Sequence, residues 1–300
     1  MAKSKSFFGL RRGSTKTLTF QVNNGKQITK DRVYEVKNPR TQEQMVQRMV
    51  MATASAAYAG MKIIVDHSFE GITYGQMNMS EFIRLNAKKL RENLGAASPT
   101  MCFNKYQDRT TSPGAYIMSR GSAADLAYQP TIEDTEEDGV YTLKVQLGPV
   151  AAGNFNSKKL AQLYGVTTND LITVCYLRWN SDKSQFYFGF VRFTFLKLDE
   201  ETLTSANLAE RILVESNDAG QVIVANNGVS FITSIEDTDH AGYAACTIHS
   251  EKTANGWNRN NTEMDISNIE ANFMNYSESD AIATYPVGGS YVLNGGEVNG

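Results

Sequence analysis

The chain has 300 residues, enough for one large domain or two ordinary ones with a substantial core in either case. Apolar residues make up 41% and charged residues 20%, a globular rather than a disordered composition. The net charge of −3 conceals a division: residues 1–50 hold eleven Lys or Arg against three acids, which leaves −11 on the other 250.

That asymmetry predicts a basic N-terminal arm whose partner is a polyanion or the acidic body of a neighbouring copy. No apolar run approaches the roughly 18–20 residues of a membrane span. Phe7-Phe8-Gly9-Leu10 stops at Arg11-Arg12, too short for the apolar stretch of a signal peptide. The expected location is therefore the cytoplasm of a host cell or a virion, with no membrane partner. Cys102, Cys175 and Cys246 are odd in number and far apart, so neither a disulfide framework nor a zinc knuckle is encoded and three free thiols are expected.

Taken in order, residues 1–14 read as a lead-in. Leu18, Phe20 and Val22 then alternate with polar residues, and Asn23-Asn24-Gly25 supplies a hairpin turn because both turn positions tolerate positive φ. A return strand from Lys26 to about Val36 completes a ribbon that must pack on something else, since two strands alone are marginal. Pro39 sets a boundary, and Thr41 with Gln44 forms a capping box. Behind it Met45, Met49, Ala52, Ala56, Ala59 and Ile63 recur at helical spacing, which predicts a helix of roughly six turns ending near Asp66. A second helix is expected from a cap at Asn78, paired with Glu81, to about Gly95, with Ile83, Ala87, Leu90 and Leu94 as its apolar stripe. Arg84, Lys88, Lys89 and Arg91 then line a solvated face.

Residues 96–139 read as an irregular linker, closing with the acidic run Glu133 to Asp138. Beyond it strands are expected at 140–147, 171–179, 186–198, 212–215, 222–225, 229–235, 243–250, 264–269 and 291–293, with short helices at 157–164 and 206–211. Many strands without alternating helices point to an α+β chain, mainly β. It would have an N-terminal basic β-hairpin and two helices, followed by an antiparallel β-sandwich or jelly-roll-like body. The expected divisions are an arm over 1–40, a helical segment over 41–95, the linker over 96–139 and a β-rich domain over 140–300.

Catalytic signatures do not emerge. His67, His240 and His249 belong to no HxxxH or HExxH motif, and Asp237-x-Asp239-His240 reads as an Asp-rich turn. Asp66-His67 could pair as acid and base, but His67 is better placed as a cation at the negative end of a helix. The acidic run lacks the ligand spacing of a calcium loop. No enzyme activity, metal, cofactor or small-molecule substrate is expected. Phe188-Gly189-Phe190-Val191-Arg192-Phe193 fits the last six positions of the RNA-recognition signature, in which aromatics stack bases. Its leading positions are Phe186-Tyr187 rather than a basic residue and Gly, and no room remains upstream for the intervening helix, so a buried core strand is the better reading.

The arm carries the remaining signal. Lys3, Lys5, Arg11, Arg12, Lys16, Lys26, Lys30, Arg32, Lys37 and Arg40 are the candidate nucleic-acid-binding residues, able to neutralise phosphates of DNA or RNA without reading sequence. Edge lysines that keep a hairpin from aggregating would look the same.

Gly13-Ser14, Gly25-Lys26-Gln27, Lys37-Asn38-Pro39-Arg40-Thr41, Gln44 and Gln47-Arg48 together resemble the N-terminal pattern of an uncharacterised family of proteins from Bacteroidota, their phages and related mobile elements. The resemblance covers residues 9–69, about a quarter of the chain, and implies origin more than mechanism. The expectation that follows is a non-enzymatic structural protein of a phage or mobile element, virion-associated and self-assembling, with its arm on nucleic acid or a neighbouring subunit. The alternative is a single-stranded nucleic-acid-binding protein inside the host cell, using Tyr187, Phe188 or Phe190 to stack bases.

Overall fold

A computed structural model describes residues 13–23, 26–32, 42–72, 75–96, 115–150, 155–180, 185–225, 227–236, 242–254 and 256–269. The chain divides into two compact units at Thr41/Gln42. The first is a ribbon of β1 (Gly13–Ser14), β2 (Leu18–Asn23) and β3 (Lys26–Asp31), antiparallel in that order. Asn23 faces Lys26 across the hairpin and Leu18 faces Asp31. Leu18, Phe20 and Val22 share one face and are half-buried, while residues 27–31 are exposed throughout.

The second unit opens with α1 (Gln42–Val65) and α2 (Gly75–Ala96), followed by the short β4 (Ile117–Ser119). Two hairpin strands come next, β5 (Thr131–Glu137) and β6 (Val140–Leu147), then α3 (Ser157–Tyr164). The meander β7 (Leu171–Asn180), β8 (Gln185–Phe195) and β9 (Ile212–Ser216) has α4 (Leu208–Arg211) before its last strand. The chain closes with β10 (Gln221–Ala225), β11 (Gly228–Glu236), β12 (Gly242–Thr253), β13 (Gly256–Arg259), β14 (Thr262–Glu263) and β15 (Asp265–Ile269).

These strands form a four-stranded sheet in the order β10-β11-β6-β5 and a six-stranded sheet in the order β13-β12-β7-β8-β9, with β15 also on β12. All pairings within both sheets are antiparallel. The body is mainly β and sandwich-like, as expected from the many short strands.

At its centre, along β7 and most of β8, the six-stranded sheet is buried on both faces. Cys175, Leu177, Phe188, Phe190, Ala244 and Ile248 point toward a core shared with α1 and α2. Ile172, Val174, Val191, Phe193 and Phe195 point the other way, into a core shared with Val145, Leu147, Val229 and Phe231 of the four-stranded sheet and with α3. The helices therefore belong to the same core as the sheet and do not form a segment apart from it. Rings of Tyr58, Phe82 and Tyr116 stack in succession between the helices, with centroids 5.7 and 5.8 Å apart. Asn86 of α2 accepts from Ile117 N at 2.7 Å and donates to its carbonyl at 3.2 Å, tying α2 to β4.

Several local expectations need correction. The buried stripe of α1 is Val50, Ala54, Ala57, Tyr58, Met61, Ile64 and Val65, whereas Ile63 is 61% exposed and Ala59 faces solvent. A helix apolar on nearly every side offers more than one i, i+3, i+4 stripe, and the one that met the sheet was not the one read. Asn78 is fully buried inside α2 and does not cap it. The acidic run 133–137 is the edge strand β5 rather than irregular linker. Its turn is Asp138-Gly139, with φ of 51° and 76°, the two left-handed positions that a two-residue hairpin demands. The capping box at Thr41 and Gln44, the turn residues Asn24-Gly25 and the strand at 291–293 lie outside the described residues or side chains.

The buried stripe has a direct test in equilibrium denaturation of dilute protein. Met61→Ala is expected to cost about 2–5 kcal/mol and Ile63→Ala less than about 0.5 kcal/mol. The reverse order would restore the stripe through Ile63.

Candidate functional site

The aromatic strand is part of the core. Phe188 and Phe190 are 6% exposed, beneath the helices, so neither ring can stack a base. Gly189 has its own reason. It lies opposite Tyr176 on β7, and a Cβ there would sit 2.2 Å from the Tyr176 ring. The glycine clears space for a tyrosine, which is why the strand mimics a nucleic-acid signature. Asn217, just past the end of β9, extends the ladder with its side chain: its amide donates to the Phe188 carbonyl at 3.0 Å and its oxygen accepts from Phe190 N at 2.8 Å.

The space that Gly189 opens holds a polar bridge between the sheets, a feature that periodicity in the sequence cannot reveal. The Tyr176 hydroxyl donates to Asp218 at 3.1 Å, and Thr233 of β11 donates to the same carboxylate oxygen at 2.9 Å. Arg178, fully buried, donates to the Tyr141 carbonyl of β6 at 3.1 Å. Burial opposes the charge on Arg178, and the nearby Asp134 and Asp218 counter that effect. Burial likewise pushes Tyr176 and Tyr187 well above the ordinary tyrosine value, reinforced by Asp218. Tyr164 rises to about 12 by burial, and Tyr58 to about 12 by burial and then by its bond to Asp66. Tyr176, Arg178, Asp218 and Thr233 cross-brace the sandwich, while Tyr164 accepts from Gly148 N at 2.9 Å and Tyr58 ties α1 to Asp66.

Among the described residues, neither His67 nor His249 hydrogen-bonds a carboxylate. His67 is exposed, in a left-handed turn at φ 63°, and Asp66 accepts from Tyr58 at 2.9 Å. The carbonyl of His67 instead accepts from Arg259 at 2.9 Å. His249 is buried with Nδ1 donating to the Ala124 carbonyl at 2.7 Å, and its Nε2 is 3.9 Å from Asp170. Asp170 is itself occupied, accepting from Thr167 N and Oγ1 and from Lys252 N. His240, Asp237 and Asp239 lie outside the described residues. Among the described residues no group of three His, Cys, Asp or Glu is arranged to hold a metal. None of the described helices is long and apolar enough to cross a membrane.

Arg84, Lys88 and Arg91 of α2 are exposed as expected, Arg84 donating to Glu81, whereas Lys89 is half-buried and pairs with Glu263 of β14.

Two surface features remain. One is an open groove of about 510 Å³ lined by Asp125, Ile132, Tyr243, Asn260 and Asp265 among others, at the side of the sandwich where β5 approaches β12 and β15. The other is the ribbon. Lys16 lies in the turn before β2, Lys26 begins β3, Lys30 is near its end and Arg32 follows it. Lys16, Lys30 and Arg32 gather at one end, where Arg32 donates to the Thr15 carbonyl at 3.2 Å; Lys26 stands at the other end, about 13 Å from Lys30 along the strand. Lys3, Lys5, Arg11, Arg12, Lys37 and Arg40 lie outside the described residues. Compared with protein families, with curated proteins and with solved structures, the chain matches none.

The buried tyrosines set the alkaline limit of stability. Their folded values lie above the 10.0 of an exposed tyrosine, so the unfolded chain loses protons first as pH rises past 10. Stability is thus full below pH 10 and declines toward pH 12. Absorbance at 295 nm from these tyrosines is expected to rise together with loss of the circular-dichroism signal. Complete tyrosine ionisation near pH 10 in a protein still folded would contradict the placement.

Proposed function

We propose that this chain is a non-enzymatic, self-assembling structural protein in which the β-rich body forms the subunit interface or shell and the N-terminal ribbon is a connecting arm. The observation that carries this reading is the ribbon. It is a compact unit of its own, bears +8 over residues 1–41 against −11 on the rest, and covers Leu18, Phe20 and Val22 only by half. Three short strands with one incompletely covered apolar face do not supply a core, so a partner surface is required for the ribbon to persist. Placement in a phage or mobile element, and in a virion, rests on the resemblance of residues 9–69 and goes no further than that.

The body supports the non-enzymatic part of the reading through the use its polar groups are put to. Tyr176, Arg178, Asp218 and Thr233 brace the two sheets, and His249 and Asp170 lock loops. Of the aromatics that the alternative, a single-stranded nucleic-acid binder, would use to stack bases, Phe188 and Phe190 are buried and Tyr187 is half-buried.

Light scattering and electron microscopy of the full chain, against a chain beginning at Gln42, test the proposal. Regular multi-subunit particles from the full chain, diminished without the arm, are the expected result. A full chain that stays a 33.2 kDa monomer at high concentration would overturn it.

A further inference from the structure

Two open sheet edges in this molecule carry opposite charge. β3 closes the ribbon on one side and β5 closes the four-stranded sheet on one side; neither has a second strand partner among the described residues. β3 reads Lys26-Gln27-Ile28-Thr29-Lys30-Asp31, with residues 27–31 exposed and Ile28 44% exposed. β5 reads Thr131-Ile132-Glu133-Asp134-Thr135-Glu136-Glu137, with Glu133, Thr135, Glu136 and Glu137 exposed. Backbone N–H and C=O groups along such edges are a template for another strand, and charge decides which strand is admitted; on β5 the Ile132 carbonyl already accepts from the Tyr243 hydroxyl at 3.3 Å. An acidic edge repels a second copy of itself and accepts a basic one.

We propose, resting on the self-assembly reading above, that β3 of one copy adds antiparallel to β5 of a neighbouring copy, so that the arm extends the neighbour's four-stranded sheet. The spacing supports one register. Lys-x-Ile-x-Lys in β3 matches Glu-x-Thr-x-Glu in β5, placing Lys30 opposite Glu133, Ile28 opposite Thr135 and Lys26 opposite Glu137. Antiparallel addition also sets Asp31 against Ile132, whereas parallel addition would set it against Asp138. Glu133 already pairs with Lys144 at 3.0 Å, so the position would join a three-charge cluster and not a simple pair.

The other face of the ribbon fits the same placement. Leu18 is opposite Asp31 within the ribbon, so this register aligns Leu18 with Ile132, on the side of the sheet from which Ile132 lines the open groove. The half-covered row of Leu18, Phe20 and Val22 would thus lie toward the open side of the sandwich, beside Ile132 and Tyr243. Lys16 and Arg32, at the Asp31 end of the ribbon, would approach Asp125 and Asp265 in the groove. Edge, charge pattern and apolar face all select the same surface.

The test uses full-length protein in a Cys102→Ser background, leaving the buried Cys175 and Cys246 in place. Ile28→Cys and Thr135→Cys variants are prepared separately, mixed and mildly oxidised while light scattering follows assembly. The expected result is a disulfide-linked species of twice the chain mass in the mixture and little in either variant alone. In parallel, Lys26→Glu/Lys30→Glu is expected to weaken assembly about tenfold or more, and mixing with Glu133→Lys/Glu137→Lys to restore it. Assembly of the wild type without cross-linking in the mixture would overturn this docking and leave the self-assembly reading standing. No assembly at all would overturn both. Particle formation only on adding a single-stranded oligonucleotide would also overturn it.

Discussion

The structure depends on one constraint: a six-stranded antiparallel sheet whose central strand β7 must be dry on both faces. From Ile172 to Arg178 every described side chain of its central strand is buried, which leaves no solvent face to be satisfied by polar residues. Two covers are therefore needed. The helices α1 and α2 provide one, and the four-stranded sheet with α3 provides the other. At about 25 cal/mol per Å² of apolar surface removed from water, such double burial is the dominant favourable contribution. It also explains the absence of simple alternation along the strand: β7 reads Leu-Ile-Thr-Val-Cys-Tyr-Leu-Arg-Trp-Asn because both parities face a core.

Double burial has a consequence for the polar groups. Arg178, Tyr176 and Asp218 lie where a sandwich core would ordinarily be apolar, and each is bonded across or along the sheets. Removing one partner leaves the others buried and unsatisfied, so the bridge fixes the registry of the two sheets more than it adds net stability. A second ion cluster acts likewise at the periphery: Arg211, 2% exposed, binds Asp199 at 2.9 Å and Glu201, joining α4 to the segment after β8. With its central side chains committed inward, the body offers its neighbours, among the described residues, sheet edges, a groove, loops and the outer faces of α1 and α2, where Met51, Ile63 and Met77 are exposed. The edges are unequal. β10 is short and uncharged, β5 is acidic, and β3 of the ribbon carries two lysines.

Much of this was legible before any coordinates. Val140–Leu147 and Ser157–Tyr164 coincide with the expected strand and helix, because each is bounded by strong signals: Gly139 before the strand, Asn156 capping the helix and Gly165 ending it at φ 73°. The phase of α1 was not legible, since Ala and Met occupy both the buried and the exposed sides and periodicity then has no unique answer. β5 is hard to read from propensity, because carboxylates are poor strand formers on average, although Asp138-Gly139 carries the same hairpin signal as Asn24-Gly25. Gly189 and Asp218 could not be read as a bridge, because the contact joins residues whose proximity arises only from the fold. The basic arm was legible as charge, but its docking edge became visible only once β5 was known to be a strand with one side open.

Hydrogen exchange on the full-length protein, measured at low and at high concentration, tests the central claim most directly. Edge-strand amides exchange quickly until a partner strand occupies them. The account predicts that segments 26–31 and 131–137 gain protection together as assembly proceeds, while 221–225 keeps its dilute rate. Assembly accompanied by unchanged exchange in 131–137, with new protection in 221–225 or on α1, would contradict it and assign the interface to another surface.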